Sequence, residues 1–174
     1  HGAPSESCAP YRYCPVPTQP RCSYGGPPPR QASAPGRARC AGSCDGGEAM
    51  AVVKAASVYA AARPGDVRML QRELVMHGPV EVGFFVFSDF HSYRDGVYFR
   101  TPGAYGPLGG HAVRLLGWGT LELKRGEVDY WLAANSWSPL WGAGGFFRIR
   151  RGTNECGFET TPAAGLPELA PAQA

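Results

Sequence analysis

Of the four histidines, His1, His77, His91 and His111, one stands in a setting suited to chemistry. His111 follows Gly109-Gly110 at the mouth of a predicted strand. Two glycines let a backbone or a ligand come close to a ring whose ordinary pKa lies near neutrality. The two asparagines are Asn135 and Asn154, and Asn135 opens Asn135-Ser136-Trp137, with Trp141-Gly142 just beyond. An amide beside an imidazole holds one tautomer, and an indole over the pair excludes water, which is how the base of a nucleophilic Cys–His pair is oriented. The same residues also read as a structural strand-entry histidine, a satisfied surface amide and two core tryptophans. Residue chemistry alone leaves both readings open.

The elements that would carry these residues are a helix and a set of strands. Gly65-Asp66 supplies a cap, and Val67, Leu70 and Leu74 recur at helical spacing up to Met76, with Gly78-Pro79 as the stop. Val80–Phe87 is β-rich and nearly all apolar, which predicts a buried strand. His111–Trp118, Asp129–Ala134 and Gly145–Arg150 are three further predicted strands, separated by Gly-rich turns. Composition alone makes the Ala-rich run Glu48–Ala62 a helix. Strands following a helix indicate an α+β class, an antiparallel β domain with a helix packed on it. The tail Pro162–Ala174 reads as an ordered start with a loose end.

Residues 1–47 are different in kind. They hold nine of the 17 Pro, seven of the 24 Gly and five of the six Cys (Cys8, Cys14, Cys22, Cys40 and Cys44), with almost no apolar periodicity. Such a segment cannot fold on burial alone and needs staples. A metal site is the rival reading, but there is no Cys-x-x-Cys pair, and the nearest downstream histidine is His77. Disulfides in an oxidising compartment, lysosomal or secreted, are the better fit. The organisation predicted is a Pro/Gly/Cys-rich segment over 1–47, a β domain over 48–166 and a loose tail over 167–174.

The 174 residues carry 17 Lys+Arg and 14 Asp+Glu, a formal charge of +3 that residues 1–47 account for alone. Residues 48–174 balance to zero, leaving no basic stripe for a nucleic-acid backbone. The longest strictly apolar stretch, Val82–Phe87, is far short of the roughly 20 residues that span a bilayer. The chain opens on His1, with its first Met at Met50, which reads as a processed product or a fragment.

Six blocks then occur in order: Gly78-Pro79-Val80, Tyr93-Arg94-Asp95-Gly96-Val97-Tyr98, Gly109-Gly110-His111-Ala112-Val113, Gly117-Trp118-Gly119, Tyr130-Trp131-Leu132, and Asn135-Ser136-Trp137 through Trp141-Gly142. Together they resemble the C-terminal half of a papain-family cysteine protease. Phe87-Ser88-Asp89-Phe90 and Arg151-Gly152 through Cys156-Gly157-Phe158-Glu159 resemble its cathepsin B branch most. The resemblance runs from about Cys8 to Leu166.

It implies a papain-like fold of which this chain supplies the right-hand β-barrel half, with the helical left half absent. His111 matches the catalytic general base, Asn135 the amide that orients it, and Trp137 the indole that shields the pair. Gly109 and Gly110 match the wall along which substrate backbone runs. Gly83, Ala112 and Thr161 match the pocket for the second residue before the scissile bond, with Thr161 where well-known cathepsin B enzymes carry an acid. Val86, His91 and Leu108 match the leaving side of the cleft. The resemblance also makes Ala55–Ala61 a strand, against the composition, because β packing overrides alanine propensity. It pairs Cys8 with Cys44 and Cys14 with Cys22, sends Cys40 to a partner segment and leaves Cys156 a free, buried thiol. The loop Cys14–Cys22 matches the branch's occluding loop but is shorter and lacks paired histidines, which implies endopeptidase rather than exopeptidase action. No cofactor and no metal are implied.

The family's nucleophile lies in a Cys-Gly-x-Cys-Trp block, and these 174 residues contain none. The histidine normally follows that cysteine by roughly 130–150 residues, which puts it upstream of His1. Three readings follow: one portion of a peptidase whose Cys-bearing half or light chain is separate, an inactive binding or matrix relative that kept His111 and Asn135, or an incomplete stretch of one longer chain. The first two expect a peptide or protein in the cleft. Under each, residues 1–174 alone are expected to be inactive and to expose an apolar face.

Overall fold

The computed structural model describes residues 3–4, 52–123 and 126–168. The chain divides into two compact units, His1–Ser57 with Leu166–Ala174, and Val58–Gly165. In the first, β1 (Ala3–Pro4) pairs antiparallel with β2 (Val52–Val53), Ala3 opposite Val53. The five cysteines of residues 1–47, and with them the disulfides and the Cys14–Cys22 loop expected from the resemblance, lie outside the described residues, as does the tail beyond residue 168.

The second unit carries the candidate site. Its helix α1 (Val67–Met76) starts where the capping signal predicts: Asp66 accepts from Met69 N–H at 2.9 Å, and Leu70 and Leu74 face the core. The Ala-rich run is not helical over its described residues, 52–62. Ala55–Ala60 forms strand β3, the outcome implied by the resemblance. Strands β4 (Val80–Val86), β5 (Val97–Tyr98), β6 (Gly109–Leu123), β7 (Gly126–Ala134), β8 (Phe146–Arg150) and β9 (Ala163–Pro167) complete a seven-stranded sheet in the order β3-β9-β4-β6-β7-β8-β5. One pair, β5 with β8, is parallel, so the sheet is mixed rather than purely antiparallel. Strand β9 falls in the stretch read from sequence as the start of a tail.

Two strands outrun their predicted ends. β6 and β7 continue beyond Trp118 and before Asp129 through the alternating residues Leu121↔Val128 and Leu123↔Gly126. β4 departs from the fully buried reading: Val80, Val82, Phe84 and Val86 are buried, whereas Glu81 and Phe85 are exposed. It therefore has an inner and an outer face. The core beneath it is aromatic. Phe90, fully buried, lies with ring centroids 4.9–5.5 Å from Phe84, Tyr98, Trp137, Trp141 and Phe147. That spacing fits edge-to-face packing and fixes the loops that carry the site.

Candidate active site

Strands β4 and β6 are in register with Gly83 opposite Ala112, Phe84 opposite His111 and Phe85 opposite Gly110. Opposed residues share a face, so His111 belongs with Phe84, Val113 and Leu115 on the core side. Near the end of the strand that core side opens, and the ring is left partly exposed with Phe84 beneath it at 5.8 Å. Gly110 and Ala112 point the other way.

Asn135 follows directly on β7, two strands across the sheet from the β4 strand of Phe84. Its N–H donates to Gly145 O at 2.9 Å, and the loop it opens is closed by Gly145 N–H to Trp141 O (2.7 Å) and Trp141 Nε1–H to His91 O (3.1 Å). Gly142 completes this turn at φ +59°, where a Cβ would lie 2.7 Å from Phe146 O. That close approach explains the glycine of Trp141-Gly142.

The loop brings the two candidate residues together: His111 Nε2 lies 2.8 Å from Asn135 Oδ1. The same oxygen accepts Ser136 N–H at 2.7 Å, which fixes the orientation of the amide. An amide oxygen only accepts, so Nε2 carries a proton, and in the neutral ring the lone pair lies on Nδ1. Asn135 Nδ2 is buried and has no partner among the described residues. The Trp137 indole stacks on the His111 ring at 5.1 Å and 28°. His91, which sequence reasoning placed apart from the pair, stacks on the same indole at 4.9 Å and 9°. This arrangement holds one imidazole tautomer under an apolar cover and can move a proton at Nδ1.

A cavity of about 440 Å3 adjoins the imidazole, lined by Gly83, Phe84, Phe85, Gly110, His111, Ala112, Gly157, Thr160 and Thr161. Five residues singled out from sequence, Gly83, Gly110, His111, Ala112 and Thr161, meet in it. Phe84, Phe85, Gly157 and Thr160 were missed, although Gly157 lies in the Cys156–Glu159 stretch, and the outward parity of Phe85 follows from that of Gly83. A second hollow of about 480 Å3 lies along Pro79–Glu81, Ala112–Arg114 and Ala134–Ser136.

A model of the papain family cysteine proteases matches residues 1–166. The chain belongs to that family. It is 40% identical over 171 residues to the gut-specific cysteine proteinase of Caenorhabditis elegans, covering 97% of this chain and 46% of that protein. It is 50% identical over 103 residues to cathepsin B-like cysteine proteinase 4 of the same organism, covering 59% of this chain and 29% of that one. Among solved structures, procathepsin B S9 from Trypanosoma congolense superposes with a TM-score of 0.65 at 35% identity, over 75% of this chain and 42% of the other. Digestive procathepsin L2 from Tenebrio molitor gives 0.55 at 33% identity, over 65% and 34%. The protein is thus cathepsin B-like, with a papain-like α+β fold, and it spans less than half the length of these relatives.

The remaining positions assigned by the family resemblance are spread differently. Val86 points into the core at 6% exposure and contributes its carbonyl, which accepts Leu108 N–H at 2.7 Å. Leu108 is 48% exposed, Gly109 is exposed, and neither Val86, His91, Leu108, Gly109 nor Trp137 lines the 440 Å3 cavity. Cys156 is free but half-buried rather than buried, at φ +53° in the short 3-10 turn Glu155–Gly157. Burial, reinforced by the Glu155 carboxylate, pushes its thiol up to about 12, so it holds a proton where a nucleophile would lose one. Among the described residues no cluster of three or more His, Cys, Asp or Glu could hold a metal ion, and no helix is long and apolar enough to cross a membrane.

Proposed function

We propose that this chain is the His/Asn-bearing portion of a cathepsin B-like cysteine endopeptidase, with its nucleophilic cysteine supplied by a segment upstream of His1. The observation that carries the reading is the 2.8 Å contact from His111 Nε2 to Asn135 Oδ1 under Trp137, which leaves Nδ1 without a partner among the described residues. In this scheme Nδ1 takes the cysteine's proton, the thiolate attacks the peptide carbonyl, and the imidazolium returns the proton to the leaving amine. The resulting thioester is hydrolysed by water deprotonated at the same nitrogen. Substrate is a peptide or protein segment whose second residue before the cut occupies the cavity of Gly83, Ala112 and Thr161. No cofactor is needed for these steps. Disulfides Cys8–Cys44 and Cys14–Cys22, a Cys40 link to the Cys-bearing segment, and a lysosomal or secreted setting complete the reading.

The absence of a Cys-Gly-x-Cys-Trp block in these 174 residues supports a second reading, an inactive binding relative in which serine or alanine replaces the nucleophile. Intact mass of the natural protein with and without reduction, followed by sequencing of any chain released, separates the two. A cysteine in that block, together with peptide hydrolysis abolished by a thiol reagent, is expected. Serine or alanine there overturns the enzyme reading. Residues 1–174 by themselves should show negligible peptide hydrolysis.

A further inference from the structure

We propose that Phe85 is a specificity-determining residue, its ring forming the side wall of the cavity beside His111 and selecting an aromatic side chain from a bound peptide. The inference rests on the peptidase reading for the identity of the ligand as a peptide, but the wall itself follows from strand parity. Gly83, Phe85, Gly110 and Ala112 form the outward face of the β4–β6 pair, and Phe85 is the one large side chain among the four. Its neighbour across the strand is Gly110, which offers no side chain to cover it. On the far side a Cβ placed on Gly157 would lie 3.5 Å from the ring, so the ring stands against bare backbone there as well.

Phe85 is 54% exposed although β4 is an interior strand of the sheet, flanked by β9 and β6. An aromatic face left open between two glycines, inside a hollow of about 440 Å3, is a surface on which a second ring can stack. Apart from His111, the lining carries no ionisable side chain among the described residues. Thr160 and Thr161 add hydroxyls and methyls, which pair no buried charge. A lysine or arginine entering this cavity would therefore lose water without gaining a carboxylate, whereas a phenyl ring gains apolar contact on one flank and loses little.

The test uses the natural protein with any chain that accompanies it, and blocked peptides differing only in carrying Phe, Leu or Arg two residues before the cleaved bond. Hydrolysis with Phe preferred over Leu, and Arg poorest, is expected. Phe85→Ser should lower the Phe-to-Leu ratio of kcat/KM about fivefold, while Phe85→Tyr retains it. Because the ring lies outside the core, the Leu peptide reports whether the variant is otherwise intact. A ratio unchanged in Phe85→Ser, or a preference for Arg in the natural protein, overturns the proposal. If no peptide is hydrolysed, the peptidase reading fails, and Kd values of the same peptides decide the role of Phe85. A Phe-over-Leu preference that Phe85→Ser removes then upholds it, and its absence or persistence sinks it.

Discussion

Trp131 and Trp137 each bring an indole to a polar group, and the two sites differ in what they leave unpaired. At Trp131 the Glu159 carboxylate, 3% exposed, accepts Trp131 Nε1–H at 2.8 Å, Gly152 N–H at 2.6 Å and Asn154 N–H at 3.0 Å. Glu159 N–H is itself satisfied by Asn154 Oδ1 at 2.9 Å. A buried carboxylate so enclosed has most of its acceptor capacity used; its donors compensate the charge and tie the 151–160 loop to β7. At Trp137 the imidazole uses one nitrogen on Asn135, and among the described residues neither its other nitrogen nor Asn135 Nδ2 has a partner. A closed network is architecture, whereas an open one beside a cavity is a place for chemistry. Proximity of polar groups to an indole does not distinguish them, and neither does a count of buried unpaired atoms, since Arg151 Nε, whose guanidinium lies over the Trp131 ring, also lacks a partner among the described residues; what differs is a basic ring nitrogen left open beside a cavity.

The comparison breaks most visibly at the two polar centres. His111→Ala removes the one free basic nitrogen, and in the natural protein kcat/KM should fall about 10³-fold. Unfolding free energy, followed by urea titration, should change by less than about 1 kcal/mol, because the ring is partly exposed and its removal strands no buried charge. Glu159→Ala should do the reverse. Three buried or part-buried donors lose their acceptor together, which costs about 3 kcal/mol in the same titration. Activity per folded molecule should then stay close to that of the parent. A Glu159 variant of full stability, or a His111 variant of full activity, would dissolve the distinction between closed and open networks.

Much of this contrast was legible in the sequence, for local reasons. α1 begins and ends where Asp66 and His77-Gly78-Pro79 place it, because capping is a contest between neighbouring groups. His111, Asn135 and Trp137 stand out by residue type and glycine context, and the fold brings them into contact. Glu159 stood in a quoted block with no role attached, since its three donors come from positions spread over residues 131–154. The Ala-rich Glu48–Ala62 misled composition because alanine is a good helix former, yet Ala55–Ala60 joins the seven-stranded sheet. Phe85 escaped notice because an unbroken apolar run hides its own alternation. After Glu81 the stretch VGFFV reads as uniformly apolar until register with β6 shows which residues face out.

Asp89 stands between the two extremes and sharpens the comparison by its response to acid. Its carboxylate is partly buried and accepts Tyr98 OH, Thr101 N–H and Thr101 OH, each at 2.8 Å. Burial opposes its ionisation, but these donors outweigh burial and hold the carboxyl below its ordinary value. A carboxyl whose pKa is lowered on folding releases its proton more readily in the folded chain than in the unfolded one. Its contribution to stability is therefore complete above about pH 4 and is lost as pH falls through that value toward the folded pKa. Asp89→Asn keeps one acceptor oxygen and turns an NH2 group toward donors, so it should lower unfolding free energy at pH 7 by about 1 kcal/mol. The difference from the parent should shrink steadily below pH 4. A difference that stays constant down to pH 2 would show that the charge on Asp89 contributes nothing, and that what ties the Phe90–Ser92 turn to Thr101 is hydrogen bonding that an amide supplies equally well.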